Sequence, residues 1–251
     1  MNTLSNHSPL TVGSVGTKKY NRNNRVIGFT LVEIAIVLAI IGLVAGVMLG
    51  PLSNQIKQRK IEETQKSLEQ NRDALLGYAA SKGYLPCPAV SAADGNEAPR
   101  NGSDACPSNN GYLPWLVLGT PKADSWNHLF RYVVTPNFAR NNLNKPTLYT
   151  TADITVHATG ISANQIANNI PVVLISHGPN GNGAAFENGI TPAYTWGANS
   201  DEQINATNNT HAVSRTPTEN ITAPGGEFDD IVVWIPTSIL FNRMVAAGQL
   251  P

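Results

Sequence analysis

Gly28-Phe-Thr-Leu-Val-Glu33-Ile-Ala-Ile-Val-Leu-Ala-Ile-Ile-Gly42-Leu-Val-Ala-Gly46-Val-Met-Leu-Gly50 is the stretch whose reading decides this chain. From Phe29 to Gly50 it carries one charge, Glu33. As a helix at ~1.5 Å per residue, its ~22 residues cover about 33 Å, against about 30 Å of bilayer hydrocarbon. Lys18, Lys19, Arg22 and Arg25 precede it with no acid among them. A basic flank stays cytoplasmic, which places everything after Gly50 outside the inner membrane. A cleaved secretory signal has an apolar run of about 7–15 residues and a small-residue cleavage site. Here the run is longer and Pro51 follows it. An uncleaved signal anchor suits the length but gives no reason for Glu33, since a carboxylate at the membrane edge costs on the order of 1–3 kcal/mol.

The hexapeptide Gly28-Phe29-Thr30-Leu31-Val32-Glu33, with the basic leader before it and the apolar run after it, resembles the processing site of type IV prepilins and type II secretion pseudopilins. The resemblance implies that a membrane aspartyl peptidase cuts between Gly28 and Phe29 and methylates the new amino terminus on Phe29. It makes Glu33 the fifth residue of the mature chain and pairs it with the Phe29 amine of a neighbouring subunit. A buried carboxylate needs such a partner, and in a low dielectric the pair is sensitive to axial register. Gly42, Gly46 and Gly50 recur every four residues on one face, a spacing that lets membrane helices approach closely. The ordinary glycine content of membrane helices accounts for them equally well.

The order of segments follows. Residues 1–28 are a cytoplasmic leader, removed in maturation. Residues 29–50 are a transmembrane and assembly helix, 51–85 an amphipathic spine helix, and 86–251 a periplasmic head. Along the spine Ile61, Leu68 and Leu75 repeat every seven residues, with Thr64, Leu76 and Ala79 beside them. That narrow apolar stripe suits packing against the chain's own sheet or, less well because it is short, a coiled-coil dimer. Gly83 is placed to cap the helix and Pro86 to stop it. The expected fold class is α+β: a long N-terminal helix, half transmembrane and half amphipathic, packed on a small, mainly antiparallel sheet with long loops, as in pilins.

Within the head, strands are expected near Leu129–Thr135, Ile154–Ala158, Pro171–Ser176 and Asp230–Ile235. Ser162-Ala-Asn-Gln165 reads as a capping box opening a short helix. Thr237 is placed to cap a last helix over Ser238–Ala247, which Gly248 ends. Asp124-Ser-Trp126 before a Tyr-containing strand resembles the helix-to-sheet connection of secretion pseudopilins, with Asn127 and His128 where Gly-Asn is common. Cys87 and Cys106, the chain's two cysteines, lie in an exported loop, where a disulfide is the simplest reading.

Charge narrows the function further. The chain is neutral overall, which gives no footprint for nucleic acid, yet residues 1–28 hold +4 and leave −4 to the rest. His177-Gly-Pro-Asn-Gly-Asn-Gly183 lacks both P-loop and dinucleotide spacing and reads as turn chemistry. A similar loop and a downstream acidic stretch surround calcium in some major pseudopilins. Asp201, Glu202, Glu227, Asp229 and Asp230 are the hard oxygen ligands available for one here, without EF-hand spacing. The five histidines show no metal-ligand spacing, and no nucleophile elbow or His-Glu-x-x-His helix is present, so no enzyme is expected. The expected partners are a prepilin peptidase, other pilin or pseudopilin subunits and an inner-membrane assembly platform. The competing class is a membrane-anchored periplasmic enzyme or binding protein with a signal anchor.

Overall fold

Helix α1 runs over Leu31–Lys82, within two residues of the expected start. It belongs to a computed structural model that describes residues 28–196 and 200–250; side chains at 47–51, 143 and 163 fall outside that description. The expected leader with its four basic residues, and the surroundings of Gly50, therefore lie outside the described residues. The chain forms two compact units, residues 1–50 and 51–251.

In the second unit, Thr64, Leu68, Asn71, Leu75 and Ala79 are fully buried along one face of α1. The 4–3–4–4 spacing is that of a helix face against a surface. Each buried leucine contributes about 1.5–3 kcal/mol. Gly83, with φ +81°, ends the helix, and its N–H donates to Ala79 O at 2.8 Å.

Helix α1 packs on a four-stranded antiparallel sheet of order β1-β2-β5-β7: Asn110–Tyr112, Arg131–Val134, Val172–Ser176 and Ile231–Ile235. Side chains alternate across it. Tyr132, Val134, Leu174 and Ile235 join Leu68 and Leu75 in one core, while Val133, Val173 and Ile175 join Ile154, Val156 and Ile170 in another. The second core exists because a three-stranded sheet covers the far face, with order β4-β3-β6: Ala163–Ile170, Ile154–Thr159 and His211–Val213. Strands β3 and β4 are antiparallel; β3 and β6 are parallel. This second sheet goes beyond the single sheet expected. It explains why β5 is buried at every position and reads as a continuous apolar run.

Two local expectations are corrected. Residues 162–165 open no helix: Ala163–Ile170 is β4, paired with β3 from Thr159↔Ala163 to Ile154↔Ile170. The turn uses Gly160 at φ +54°, and cross-strand pairing overrides the local capping signal. Helix α4 spans Thr237–Ala246, but Pro236 occupies its cap position, and the Thr237 hydroxyl donates instead to Asn169 O. Two short helices, α2 (Trp115–Leu118) and α3 (Ser200–Thr207), complete the head.

Cys87 and Cys106 are joined, with Cα atoms 5.5 Å apart. A salt bridge clasps the loop they close: Arg100 Nη1 meets Glu97 Oε2 at 3.0 Å, and that same oxygen accepts the Cys87 N–H at 3.0 Å.

Candidate functional site

The first turn of α1 is built by its own sequence. The Thr30 hydroxyl accepts the Glu33 N–H at 3.2 Å, satisfying a donor that helix geometry leaves orphaned. The Glu33 carboxylate sits in this first turn, where the helix dipole favours an anion. Among the described residues it has no hydrogen-bond or ion-pair partner. Every side chain from 28 to 46 is exposed, Phe29 at 77% and Leu31 at 87%. A Cβ added at Gly42 or Gly46 meets nothing within 4 Å. A helix apolar all round demands cover on every side, from lipid or from other helices.

Residues 23–49 match the family model of the prokaryotic N-terminal methylation motif. That motif is the signature of the cleavage segment of type IV prepilins and pseudopilins, and it marks a substrate of prepilin peptidase. Its family is one of structural subunits. The match contains Gly28, Phe29 and Glu33, the three residues singled out above. No curated protein and no solved structure matches the chain. Among the described residues, no helix is long and apolar enough to cross a membrane.

The head holds a second candidate. Helix α3 and the turn into β7 bring Glu202, Asp229 and Asp230 together, with one oxygen from each within 4.8 Å of the others. The glycine-rich loop lies against them. Glu202 accepts the side-chain amides of Asn180 (3.1 Å) and Asn182 (3.0 Å) and the Asp229 N–H (2.9 Å). Asp229 Oδ2 accepts the Asn180 N–H at 3.1 Å, and Asp230 Oδ2 the Asn205 amide at 2.8 Å. The other oxygens, Asp229 Oδ1 and Asp230 Oδ1, are buried without a hydrogen bond. Burial, then the charges of Glu202 and Asp230, push the Asp229 carboxyl up to about 8. Burial and Asp230 also raise Glu202. Gly178 is required here: a Cβ would lie 2.3 Å from Asp229 Oδ1. A groove of about 720 Å³ beside Lys57 and Ile61 opens onto Asn180, Glu227 and Asp229.

Asp201 does not join this cluster. Its Oδ2 pairs with Arg215 Nε at 2.8 Å and its Oδ1 accepts the Gly160 N–H at 2.9 Å. Glu227 touches its edge through Asn182 at 3.3 Å. Asn180 and Asn182 were legible only as turn formers; their amides reach the acids because Gly178, Gly181 and Gly183 all take positive φ. Two histidines without ligand spacing in sequence do meet: His157 Nε2 lies 3.0 Å from His211 Nδ1.

Ser176, Asp124 and His128 are neighbours, yet not in nucleophilic order. The buried Ser176 hydroxyl donates to Asp124 Oδ2 at 2.7 Å, while His128 Nδ1 lies against Gly178 O at 3.1 Å. A nucleophilic serine needs its hydroxyl on the base, not on the acid. Asp124 Oδ1 also accepts the Trp126 and His128 N–H groups, folding the Asp-x-Trp turn, with Asn127 at φ +64° where glycine is common.

Proposed function

We propose that the chain is a pseudopilin or minor pilin, a structural subunit of a type II secretion or type IV pilus-like envelope fibre. The observation that carries the reading is the methylation motif lying on a helix whose apolar side chains are exposed all round. Insertion is single-pass, with the leader cytoplasmic and the head periplasmic. Prepilin peptidase cuts between Gly28 and Phe29 and methylates Phe29. The mature helix then leaves lipid for a bundle of like helices, driven by an inner-membrane platform, with Gly42, Gly46 and Gly50 as its close-packing face. There Glu33 faces the Phe29 amine of the next subunit, and a misregistered subunit leaves two desolvated charges unpaired.

Amino-terminal sequencing of the membrane protein, made with and without a prepilin peptidase, tests this. Phe29 is expected as the first residue only when the peptidase is present. Gly28→Val should leave the precursor uncut, because a β-branched side chain does not fit a site built around glycine. A mature Gly28→Val protein, or a chain unchanged by the peptidase, would instead make this a membrane-anchored periplasmic protein.

The acidic cluster supports a further reading of the head as a calcium site. Glu202, Asp229 and Asp230 supply hard oxygens, two of them lacking any hydrogen bond, and rotation of the Asn180 or Asn182 amide would present another. A divalent cation there would tie α3, the glycine-rich loop and the start of β7 together.

A further inference from the structure

A second cavity is lined in part by His177. It measures about 300 Å³ and forms where the disulfide loop, β1, β2 and the glycine-rich loop converge. Strand alternation decides what faces it. Arg131 pairs across the sheet with Ile175, and His177 lies two residues beyond Ile175 in the chain. Both therefore project on the sheet's second face, at the end where β3 and β4 give it no cover.

The polar side of the cavity is under-partnered. Arg131 Nη2 donates to Asn208 O at 3.1 Å and to Asn209 Oδ1 at 3.4 Å. Its Nη1 meets no acceptor among the described residues, and its Nε is buried without one. Asp230 lies near enough to favour the guanidinium charge, but no ion pair or hydrogen bond joins the two. His177 is 1% exposed, and its Nδ1, 3.5 Å from Asp230 Oδ1, makes no hydrogen bond. A confined guanidinium with unmatched N–H groups is costly until an acceptor arrives. The apolar part of the lining includes Leu129, which is buried, and Val90, which is 64% exposed.

We propose that this cavity binds a small carboxylate bearing a short apolar tail. The carboxylate accepts from Arg131 Nη1 in a charge-assisted hydrogen bond, and the tail lies against Leu129 and Val90, which line the same cavity. The volume, at the low end for ligand sites, limits the ligand to a short-chain acid or the last residue of a peptide. Such a site gives the head a recognition role separate from the assembly helix, next to the acidic cluster through Asp230.

Full-length protein in detergent micelles, titrated calorimetrically with sodium butyrate, tests this. Butyrate should bind with a dissociation constant of about 1 mM or tighter. Arg131→Gln, which removes the charged donor, should weaken it at least about tenfold. Val90→Trp alters only the exposed rim and should block entry while leaving thermal stability unchanged. Butylamine, with the same tail and the opposite charge, should not bind. A C-terminal alanine dipeptide binding more tightly than butyrate would identify a peptide end as the source of the carboxylate. The proposal is overturned if butyrate shows no heat up to about 20 mM, some twentyfold above the expected dissociation constant. It is equally overturned if both variants bind like the wild type, or if butylamine or inorganic phosphate binds as well as butyrate.

Discussion

Replacing Asp229 by asparagine should make the calcium-free protein more stable. Asp229 is held up to about 8 from an ordinary 3.8, chiefly by burial and then by the charges of Glu202 and Asp230. The folded state therefore binds a proton that the unfolded chain releases near pH ~4. Stability from this group is greatest below pH ~4 and falls as pH rises towards ~8. At pH 7 about three pKa units separate the solution from the unfolded value, and each is worth about 1.4 kcal/mol. The upper bound is thus about 4 kcal/mol; water reaching the groove and relaxation of the loop should bring it to roughly 2 kcal/mol. The substituted amide would keep an acceptor for the Asn180 N–H, so the structure loses little. The assay is thermal and urea unfolding of the full-length protein in micelles, followed by near-ultraviolet circular dichroism. It is run from pH 5 to pH 8, in chelator and in 1 mM calcium. In chelator at pH 7, Asp229→Asn should raise Tm by about 4–8 °C and flatten the decline towards pH 8. Calcium should stabilise the wild type by about 2.7 kcal/mol if 1 mM is a hundredfold above Kd, and the variant by far less. A variant that is less stable in chelator and still responds fully to calcium would refute both the strain and the liganding role.

Glu33→Leu should insert at least as well as the wild type, because it removes a charge from the membrane edge, but it should fail to enter sheared or crosslinked fibres; Glu33→Gln should be milder. Wild-type incorporation of Glu33→Leu would end the register argument. Replacing both Cys87 and Cys106 by serine should cost about 3 kcal/mol for a bond spanning 19 residues. That is a Tm drop of about 6–12 °C, measured in the same melts, and a drop under about 2 °C would show that the Glu97–Arg100 clasp alone orders the loop.

The N-terminal site was legible because its information is local. The methylation motif at 23–49 and the start of α1 involve residues within a few turns of one another, Gly28, Phe29 and Glu33 among them. The spine stripe was equally readable, since Leu68 and Leu75 need only helical spacing to share a face. All four expected strands are present. Less local features failed in instructive ways. The capping signal at 162–165 lost to pairing with β3, and Thr237 exchanged its cap for the carbonyl of Asn169, 68 residues away.

Sequence by itself therefore determined the motif at 23–49, the spine helix, the cysteine pair and the α+β class, because each is written in spacing along a few turns or in residue chemistry alone. Tertiary structure decided that a second sheet covers the first, which makes β5 a strand buried on both faces. It also decided which acids gather. Asp201 and Glu202 are adjacent in sequence and could not be told apart as ligand candidates. Successive positions on α3 point about 100° apart, so Asp201 turns to Arg215 while Glu202 turns to Asp229 and Asp230. Arg131 and His177, far apart in the chain, share a cavity only because β2 and β5 pair in one register. A shift of one residue would put their side chains on opposite faces.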